Sequence, residues 1–186
     1  MPARPIVLDA NILIRFVLGE KVAALLAAHA ATIDFLAPDT AFEEARKHLP
    51  TILRARGDDG TREAAALDEL DAVTAIVTPI PASSYEPMRA PALARIGQRD
   101  PHDWQVLACA LLLNCPIWTE DRDFFGTGVA TWTTALVELY FTDLDPGAAE
   151  HGPARDERSR NPRRAHRPRP EGRWLGRGGR MAWPRR

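Results

Sequence analysis

The amino-acid sequence predicts an α/β fold, with a mostly parallel sheet and helices on both of its faces. Five short apolar segments alternate with longer stretches of helical periodicity, as is typical of parallel strands joined by helical crossovers. Acidic residues stand directly after strand-like segments or in the first turns of helix-like ones. The length of 186 residues suits one domain with a tail, and no internal repeat is present.

The predicted strands are short, apolar and bounded by proline or polar residues, as buried parallel strands are. They are Pro5–Leu8, Ile33–Ala37, Ile76–Thr78, Pro116–Thr119 and Val129–Trp132. Because proline cannot donate a hydrogen bond to a strand ladder, we expect Pro38 to end the second strand and Pro79 the third.

Segments of helical periodicity separate these strands. In order they are a helix capped by Asn11 and stopped by Gly19, Val22–Ala30, Thr40 to about Arg54, a helix from Thr61 to about Val73, a segment from Ser83 or Ser84 interrupted by Pro87 and Pro91, and Leu136–Phe141. The strongest helix runs to about Asn114. Asp100-Pro101 opens it, as an N-cap followed by proline at the first helical position.

Charge divides the chain into two parts. Residues 146–186 contain twelve arginines and four acidic residues, a net charge of +8, whereas residues 1–145 contain 12 basic and 21 acidic groups, a net charge of −9. The second part has few aliphatic residues and is dense in Arg, Pro and Gly, so it lacks the apolar surface that offsets chain entropy. We therefore predict a folded domain over 1–145 and a disordered basic tail over 146–186.

Cysteine usage and hydropathy exclude several classes of protein. Cys109 and Cys115 are too few for a disulfide framework, match no zinc-ligand spacing, and are predicted to be buried as small hydrophobes. The N-terminal apolar run is too short for a secretory signal, and Val106–Leu113 is far shorter than a membrane span. The sequence thus predicts a soluble cytoplasmic protein without a membrane partner.

Four acidic residues are the candidate catalytic residues: Asp9, Glu44, Asp103 and Asp121. Asp9 and Asp121 follow predicted strands, while Glu44 and Asp103 lie near the N-termini of predicted helices. In a parallel sheet with right-handed crossovers these positions meet at one edge, so we expect the carboxylates to converge. A divalent cation would relieve their repulsion, and oxygen ligands favour Mg²⁺ or Mn²⁺ over zinc.

Each helix acid also has a structural interpretation. Thr40-x-x-Glu43 fits a capping box, which leaves Glu44 as the better ligand candidate of the two glutamates. Asp100 is interpreted primarily as the N-cap of the helix, and a supporting role at the metal site is the alternative. Asp103 in a first helical turn could merely favour the helix dipole.

The loop acids and their neighbours are also candidates with alternatives. Asp121 lies closer to the strand end than Asp123, so Asp123 is the weaker ligand candidate. Asn11 serves either as a helix cap or as an accessory residue beside Asp9. The hydroxyl of Thr119 could orient a water or a carboxylate, or simply belong to the strand.

Three segments together resemble the motifs of the PIN-domain nucleases. These are the segments 7–13 (Val-Leu-Asp-Ala-Asn-Ile-Leu), 103–110 (Asp-Trp-Gln-Val-Leu-Ala-Cys-Ala) and 119–124 (Thr-Glu-Asp-Arg-Asp-Phe), with Glu44 as the helix acid between the first two. The resemblance spans roughly residues 5–142. Any one motif is common, but the four acids in this order are much more specific.

The resemblance implies a Rossmann-like three-layer α/β/α fold and Mg²⁺- or Mn²⁺-dependent cleavage of RNA. Asp9, Glu44, Asp103 and Asp121 match the family's acidic quartet, of which Asp9, Asp103 and Asp121 would bind the metal; Asn11 and Asp123 match accessory positions. Many small bacterial members are VapC-type toxins of type II toxin–antitoxin pairs, which form homodimers and bind a protein antitoxin. The basic tail departs from the family pattern, and the proline-containing region 76–98 matches it weakly.

Other functions remain open at this point. A phosphatase of the haloacid dehalogenase type needs a second acid two residues after the first Asp, and Asn11 stands at that position. A receiver domain needs a lysine late in the domain, but the only lysines of residues 1–145, Lys21 and Lys47, come early. Both classes are therefore disfavoured. A catalytically silent binding module, a DNA-directed nuclease and an RNA-processing nuclease are the alternatives that the residues allow. RNA could contact local basic residues, namely Arg15, Lys21, Arg46, Lys47 and Arg122.

Overall fold

A five-stranded, wholly parallel sheet forms the centre of the part of the chain that the structure describes. The structure, a computed structural model, describes residues 3–142; the predicted tail, 146–186, lies outside them. The strands are β1 (Arg4–Leu8), β2 (Ile33–Pro38), β3 (Val77–Ile80), β4 (Ile117–Trp118) and β5 (Thr131–Trp132). They are arranged in the order β3-β2-β1-β4-β5, with every neighbouring pair parallel. The predicted parallel α/β fold is confirmed.

Helices fill the connections between these strands. They are α1 (Ala10–Leu18), α2 (Glu20–His29), α3 (Asp39–Ala55), α4 (Glu63–Ala72), α5 (Ala82–Tyr85), α6 (Arg89–Ile96), α7 (Trp104–Leu113) and α8 (Val137–Thr142). Short 3-10 helices lie at Val73–Ala75, Glu86–Met88, Pro101–Asp103 and Arg122–Phe124. Each predicted helical segment thus contains a helix, with boundaries that shift by a few residues.

The prolines explain most differences from the predicted boundaries. β3 continues through Pro79, contrary to prediction, because within residues 3–142 it is an edge strand that pairs with β2 alone. Pro87 stands in a 3-10 helix, but Pro91 lies in the first turn of α6, where a missing N–H breaks no helical hydrogen bond. The predicted interruption at Pro91 is therefore wrong.

The predicted capping box on α3 is also wrong. The helix begins at Asp39, and its N-cap is Pro38, so Thr40 is already a helical residue. Asp39, not Glu43, accepts from a first-turn amide, since its Oδ1 lies 2.9 Å from the Thr40 nitrogen. The capping-box interpretation of Glu43 is therefore lost.

Alternating strand residues build a core on each face of the sheet. Ile6 and Leu8 pack with α1–α4 and α8 on one face, whereas Val7 and Ile117 pack with α6 and α7 on the other. This is a three-layer α/β/α arrangement. Both cysteines are free and buried in the second core, as predicted. Within residues 3–142, no helix is long and apolar enough to span a membrane.

The strand order reverses between β1 and β4. From β1 the chain first builds outward through β2 and β3, then returns to add β4 and β5 on the other side. A crevice opens beyond the carboxyl ends of the strands at such a reversal, and ligands of open α/β sheets bind there. Asp9 directly follows β1 and Thr119 directly follows β4, so both residues lie at this crevice.

Candidate metal centre

A hydrogen-bonded trio forms the floor of the crevice. Thr119 Oγ1 donates to Asp9 Oδ2 at 2.6 Å, and Asn11 Nδ2 donates to the same oxygen at 2.5 Å. Asn11 Nδ2 also lies 2.9 Å from Thr119 Oγ1, and its Oδ1 accepts from the Glu120 amide at 3.2 Å. Asp9 is only 8% exposed. The protein itself therefore supplies the donors that a buried carboxylate needs.

Three further carboxylates converge beside the trio. One oxygen from each of Asp103, Asp121 and Asp123 lies within 4.8 Å of the other two. Asp103 stands in the 3-10 helix before α7, while Asp121 and Asp123 lie in the loop after β4. Segments far apart in sequence thus meet at the crevice. Asp123, the weaker candidate from sequence, belongs to this cluster, whereas Asp9 lies outside it.

The acidic cluster is electrostatically strained. Burial, followed by the nearby charges of Asp9, Asp100, Asp121 and Glu44, raises the pKa of Asp103 to about 8. Burial likewise raises the pKa of Asp9 to about 6, against the opposing effect of the Thr119 hydrogen bond. Without a counter-charge, both carboxyl groups are therefore harder to ionise than an ordinary aspartate.

Asp103 carries an unsatisfied oxygen. Its Oδ2 is buried and has no hydrogen-bond partner within residues 3–142. A buried carboxylate oxygen without a donor is costly, since it has lost water and gained nothing in exchange. The missing partner fits a cation, because the two groups that cluster with Asp103, namely Asp121 and Asp123, are carboxylates, which cannot donate when they are ionised. Hard divalent ions such as Mg²⁺ and Mn²⁺ prefer such all-oxygen ligand sets.

Glu44 lies at the rim and not within the cluster. Its side chain is 49% exposed, and its Oε1 lies 3.6 Å from His48 Nε2, one helical turn further along α3. It is nevertheless close enough to raise the pKa of both Asp9 and Asp103 through its charge. Glu43 is exposed as well, but it contributes to neither shift. The electrostatics thus favour Glu44, the glutamate that the sequence had preferred on the basis of the capping box.

Asp100 adopts the capping role expected of it. Its Oδ1 accepts from the His102 amide at 2.7 Å at the start of the 3-10 helix Pro101–Asp103. That cap fixes the first residues of the turn on which Asp103 stands. The charge of Asp100 also contributes to the raised pKa of Asp103. Asp100 therefore supports the site from beside it.

Asp39 is an anchor that the sequence analysis did not identify. Its carboxylate accepts from the amides of Thr40 and Ala82, each at 2.9 Å, and from the hydroxyl of Tyr85 at 2.6 Å. It therefore joins the start of α3 to the start of α5. Burial, then the hydrogen bond to Asp39, raises the pKa of Tyr85. The signal available in the sequence was an acid directly after a strand, the position that Asp9 also occupies.

The basic residues expected near the substrate are all exposed. They are Arg15, Lys21, Arg46, Lys47 and Arg122. Arg46 pairs with Asp71 across α3 and α4, so its charge is already matched. Arg122 stands between two residues of the acidic cluster, on the 3-10 helix of the loop after β4.

Comparison with solved structures identifies the same fold elsewhere. VapBC2 from Rickettsia felis, crystallised with a DNA fragment from its promoter, matches with a TM-score of 0.55 and 11% identity, over 69% of this chain and 98% of that one. PAE2754 from Pyrobaculum aerophilum matches with a TM-score of 0.57 and 15% identity, over 75% of this chain and 90% of that one. No curated protein gives a significant match.

The family model of the PIN domain matches residues 7–142, which include every carboxylate of the crevice. PIN domains are generally nucleases, and the cluster of Asp103, Asp121 and Asp123 could bind a metal ion of the kind that they use. The fold, the acidic crevice and the extent of the match lead to one assignment: the chain belongs to the PIN domain family.

Proposed function

We propose that this protein is a Mg²⁺- or Mn²⁺-dependent endoribonuclease that hydrolyses RNA phosphodiester bonds. The buried, unpartnered Oδ2 of Asp103 within a cluster of three carboxylates is the observation that carries the proposal. Acids with strongly perturbed pKa values cluster at functional sites, so this arrangement supports a ligand there. The proposal extends the general nuclease activity of PIN domains to a particular cofactor and substrate.

Asp103, Asp121 and Asp123 would hold the cation, with Asp9 facing it from the floor of the crevice. When bound, the ion lowers the pKa of a water and offsets the negative charge of the phosphate. Thr119 and Asn11 keep Asp9 Oδ2 occupied, so the second oxygen of Asp9 is the one available to a ligand. These two residues thereby fix the orientation of the Asp9 carboxylate before RNA arrives.

Glu44 would act at the open side of the site. Its half-exposed carboxylate faces solvent and lies close enough to Asp9 and Asp103 to affect their pKa values. A carboxylate in that position can orient a water or accept its proton as the phosphodiester bond breaks. His48 lies within ion-pair distance and holds Glu44 along the outer face of α3.

We further propose that the chain is the toxin of a type II toxin–antitoxin pair, acting in the cytoplasm as a homodimer with a protein antitoxin. The fold shared with VapBC2, which was crystallised on DNA from its own promoter, supports this assignment.

Cleavage of a mixed RNA pool tests the proposed activity. The full chain is incubated with Mg²⁺ or Mn²⁺, or with EDTA, beside Asp103→Asn and the control Glu43→Gln, which removes an exposed acid outside the cluster. We expect metal-dependent cleavage that Asp103→Asn abolishes and Glu43→Gln retains. Cleavage of a matched DNA pool at equal rate would indicate a nuclease without RNA preference. Mn²⁺ binding without any cleavage would favour the silent binding module.

A further inference from the structure

Two of the three clustered carboxylates lie in one loop whose shape is set by contacts outside the cluster. The loop spans residues 121–128, and the buried ring of Phe124 anchors its middle. Thr127 Oγ1 donates to the Phe124 carbonyl at 2.8 Å, which closes a turn. Gly126 and Gly128 adopt φ values of +86° and +84°, which favour glycine. These contacts and glycine conformations together favour a single backbone conformation of the loop.

Two arginines, one on α6 and one in the turn that follows it, bind the carbonyls of this loop. Arg99 Nη1 donates to the Asp123 carbonyl oxygen at 2.7 Å, and also to the carbonyl of Phe125. Arg95 Nη1 donates to the Thr127 carbonyl at 3.2 Å. A Cβ on Gly126 would come within 3.2 Å of Arg99 Nη2, so the glycine leaves room for the guanidinium.

The backbone of Asp123 is consequently fixed on both sides. Its N–H donates to Asp121 Oδ1 at 2.9 Å, while its carbonyl accepts from Arg99. Arg99 stands four residues before Asp103, on the same connection between α6 and α7. Its hydrogen bonds therefore join the segment that carries Asp103 to the loop that carries Asp121 and Asp123.

We propose that Arg99 is a positioning residue of the candidate metal centre. By binding the Asp123 and Phe125 carbonyls, it holds the Asp121–Asp123 loop against the Asp103 segment at the spacing that a cation requires. The inference rests on the function proposed above and adds a residue that lies outside every motif of the sequence. Groups that orient metal ligands typically contribute 10–100-fold to metal affinity (order of magnitude).

The positive charge of Arg99 allows a positioning role to be distinguished from a purely electrostatic one. Arg99 is exposed and close to the acidic cluster. A nearby positive charge repels a cation, so its removal should strengthen cation binding if charge were its only contribution. Loss of a positioning contact should weaken cation binding instead. The two interpretations therefore predict changes of opposite sign.

The positioning role of Arg99 is tested by measuring how tightly the full chain binds Mn²⁺, with the EPR signal of free Mn²⁺ as the readout. The measurement does not depend on nuclease activity. We expect Arg99→Ala to weaken binding by about tenfold or more. Arg89→Ala is the matched control, because Arg89 is an exposed arginine on α6 that contacts Glu86 and the Trp104 ring, not the loop. We expect it to change the affinity by less than about twofold, since an exposed charge is strongly screened.

A double-mutant cycle with Asp123→Asn shows whether Arg99 acts through Asp123. In that background we expect Arg99→Ala to cause a smaller loss than in the parent chain, because the loop then positions Asp121 but no longer the Asp123 carboxylate. Unchanged or tighter Mn²⁺ binding by Arg99→Ala would overturn the inference, as would a full additive loss in the double variant. If Arg99→Ala does not fold, Arg99→Lys decides: it keeps the charge but replaces the planar guanidinium with a single ammonium group, and must bind Mn²⁺ more weakly than the parent. Absence of Mn²⁺ binding by the parent chain would instead reject the proposed metal-dependent function itself.

Discussion

Two groups of acidic side chains lie side by side in the crevice, and they are stabilised in opposite ways. Asp9 is buried with two donors, Thr119 and Asn11, on one of its oxygens. Asp103 is half-buried, and its buried Oδ2 has no donor and lies beside two more carboxylates. The fold itself supports the first carboxylate but leaves the second to be satisfied by a ligand. Removing a group should therefore have opposite consequences in the two places.

The largest expected effect is on activity. Asp103→Asn should lower RNA cleavage by at least about a hundredfold, since loss of a mere supporting group around a metal already costs 10–100-fold (order of magnitude). Initial rates with saturating Mn²⁺ measure it. Raising the Mn²⁺ concentration should not restore the rate. A variant with more than half of the parental rate would contradict the ligand role of Asp103.

The same substitution should stabilise the metal-free protein. The asparagine removes a charge that burial and four neighbouring acids oppose, so we expect Asp103→Asn to raise Tm in EDTA. Each kcal/mol relieved shifts Tm by roughly 2–4 °C in a domain of about this size. Differential scanning calorimetry in EDTA and in Mn²⁺ gives both values. The gain should shrink or reverse in Mn²⁺, because only the parent chain has the full ligand set.

Thr119→Val should have the opposite effect on stability. It keeps the shape of the side chain but removes the hydroxyl that donates to Asp9 Oδ2. Loss of a donor to a buried carboxylate costs about 1–3 kcal/mol. Urea unfolding in EDTA should show this destabilisation while Asp103→Asn shows stabilisation. If the two variants shifted stability in the same direction, the contrast between the two carboxylates would be refuted.

The pH dependence of stability sharpens the contrast further. The pKa of Asp103 is raised from 3.8 to about 8 in the folded chain, so between those values the folded state binds a proton that the unfolded state has lost. Stability of the metal-free protein should therefore be fully present below pH 4 and fall as pH rises to about 8, by at most about 1.4 kcal/mol per pH unit from this group. Asp9 should add to the fall between pH 4 and about 6.

Urea unfolding curves measured in EDTA between pH 5 and 8.5 give this dependence. Asp103→Asn should flatten it above pH 6, where Asp9 no longer contributes. An unchanged slope in that variant would assign the effect to other groups. The comparison uses metal-free protein throughout, because a bound cation would hold both carboxylates in the ionised form.

Local patterns were enough to predict the layers of the fold and the edge of the sheet at which several acids meet. Alternating apolar segments indicated five strands, and Asp9, Asp103 and Asp121 stand at the crevice because strand ends and helix starts meet there in a parallel sheet. What the sequence could not provide depends on contacts between distant segments. Arg99 binds backbone carbonyls 24 and 26 positions away, and carbonyls leave no trace in a sequence motif.

Edge effects account for the remaining differences. β3 tolerates Pro79 because one of its sides pairs with no strand, and edge position is a property of the whole sheet. Helix α3 begins one residue before the predicted cap because Asp39 satisfies the Thr40 amide and also binds Ala82 and Tyr85 on α5. Local capping rules contain no information on such a partner 43 or 46 residues away.

The smallest expected effect distinguishes the two glutamates of α3. Glu44 raises the pKa values of Asp9 and Asp103, whereas Glu43 affects neither, although both side chains are exposed. We expect Glu44→Gln to lower the cleavage rate by about tenfold, the lower limit for a group that supports a metal site, and Glu43→Gln to leave it within about twofold. Cleavage rates of the two variants are measured at saturating RNA and Mn²⁺, and each variant removes one negative charge. Because both variants remove one exposed carboxylate from neighbouring positions of one helix, a long-range electrostatic effect would lower or raise the two rates together. A rate loss confined to Glu43→Gln would transfer the catalytic assignment to Glu43 and separate catalysis from the electrostatics of the crevice.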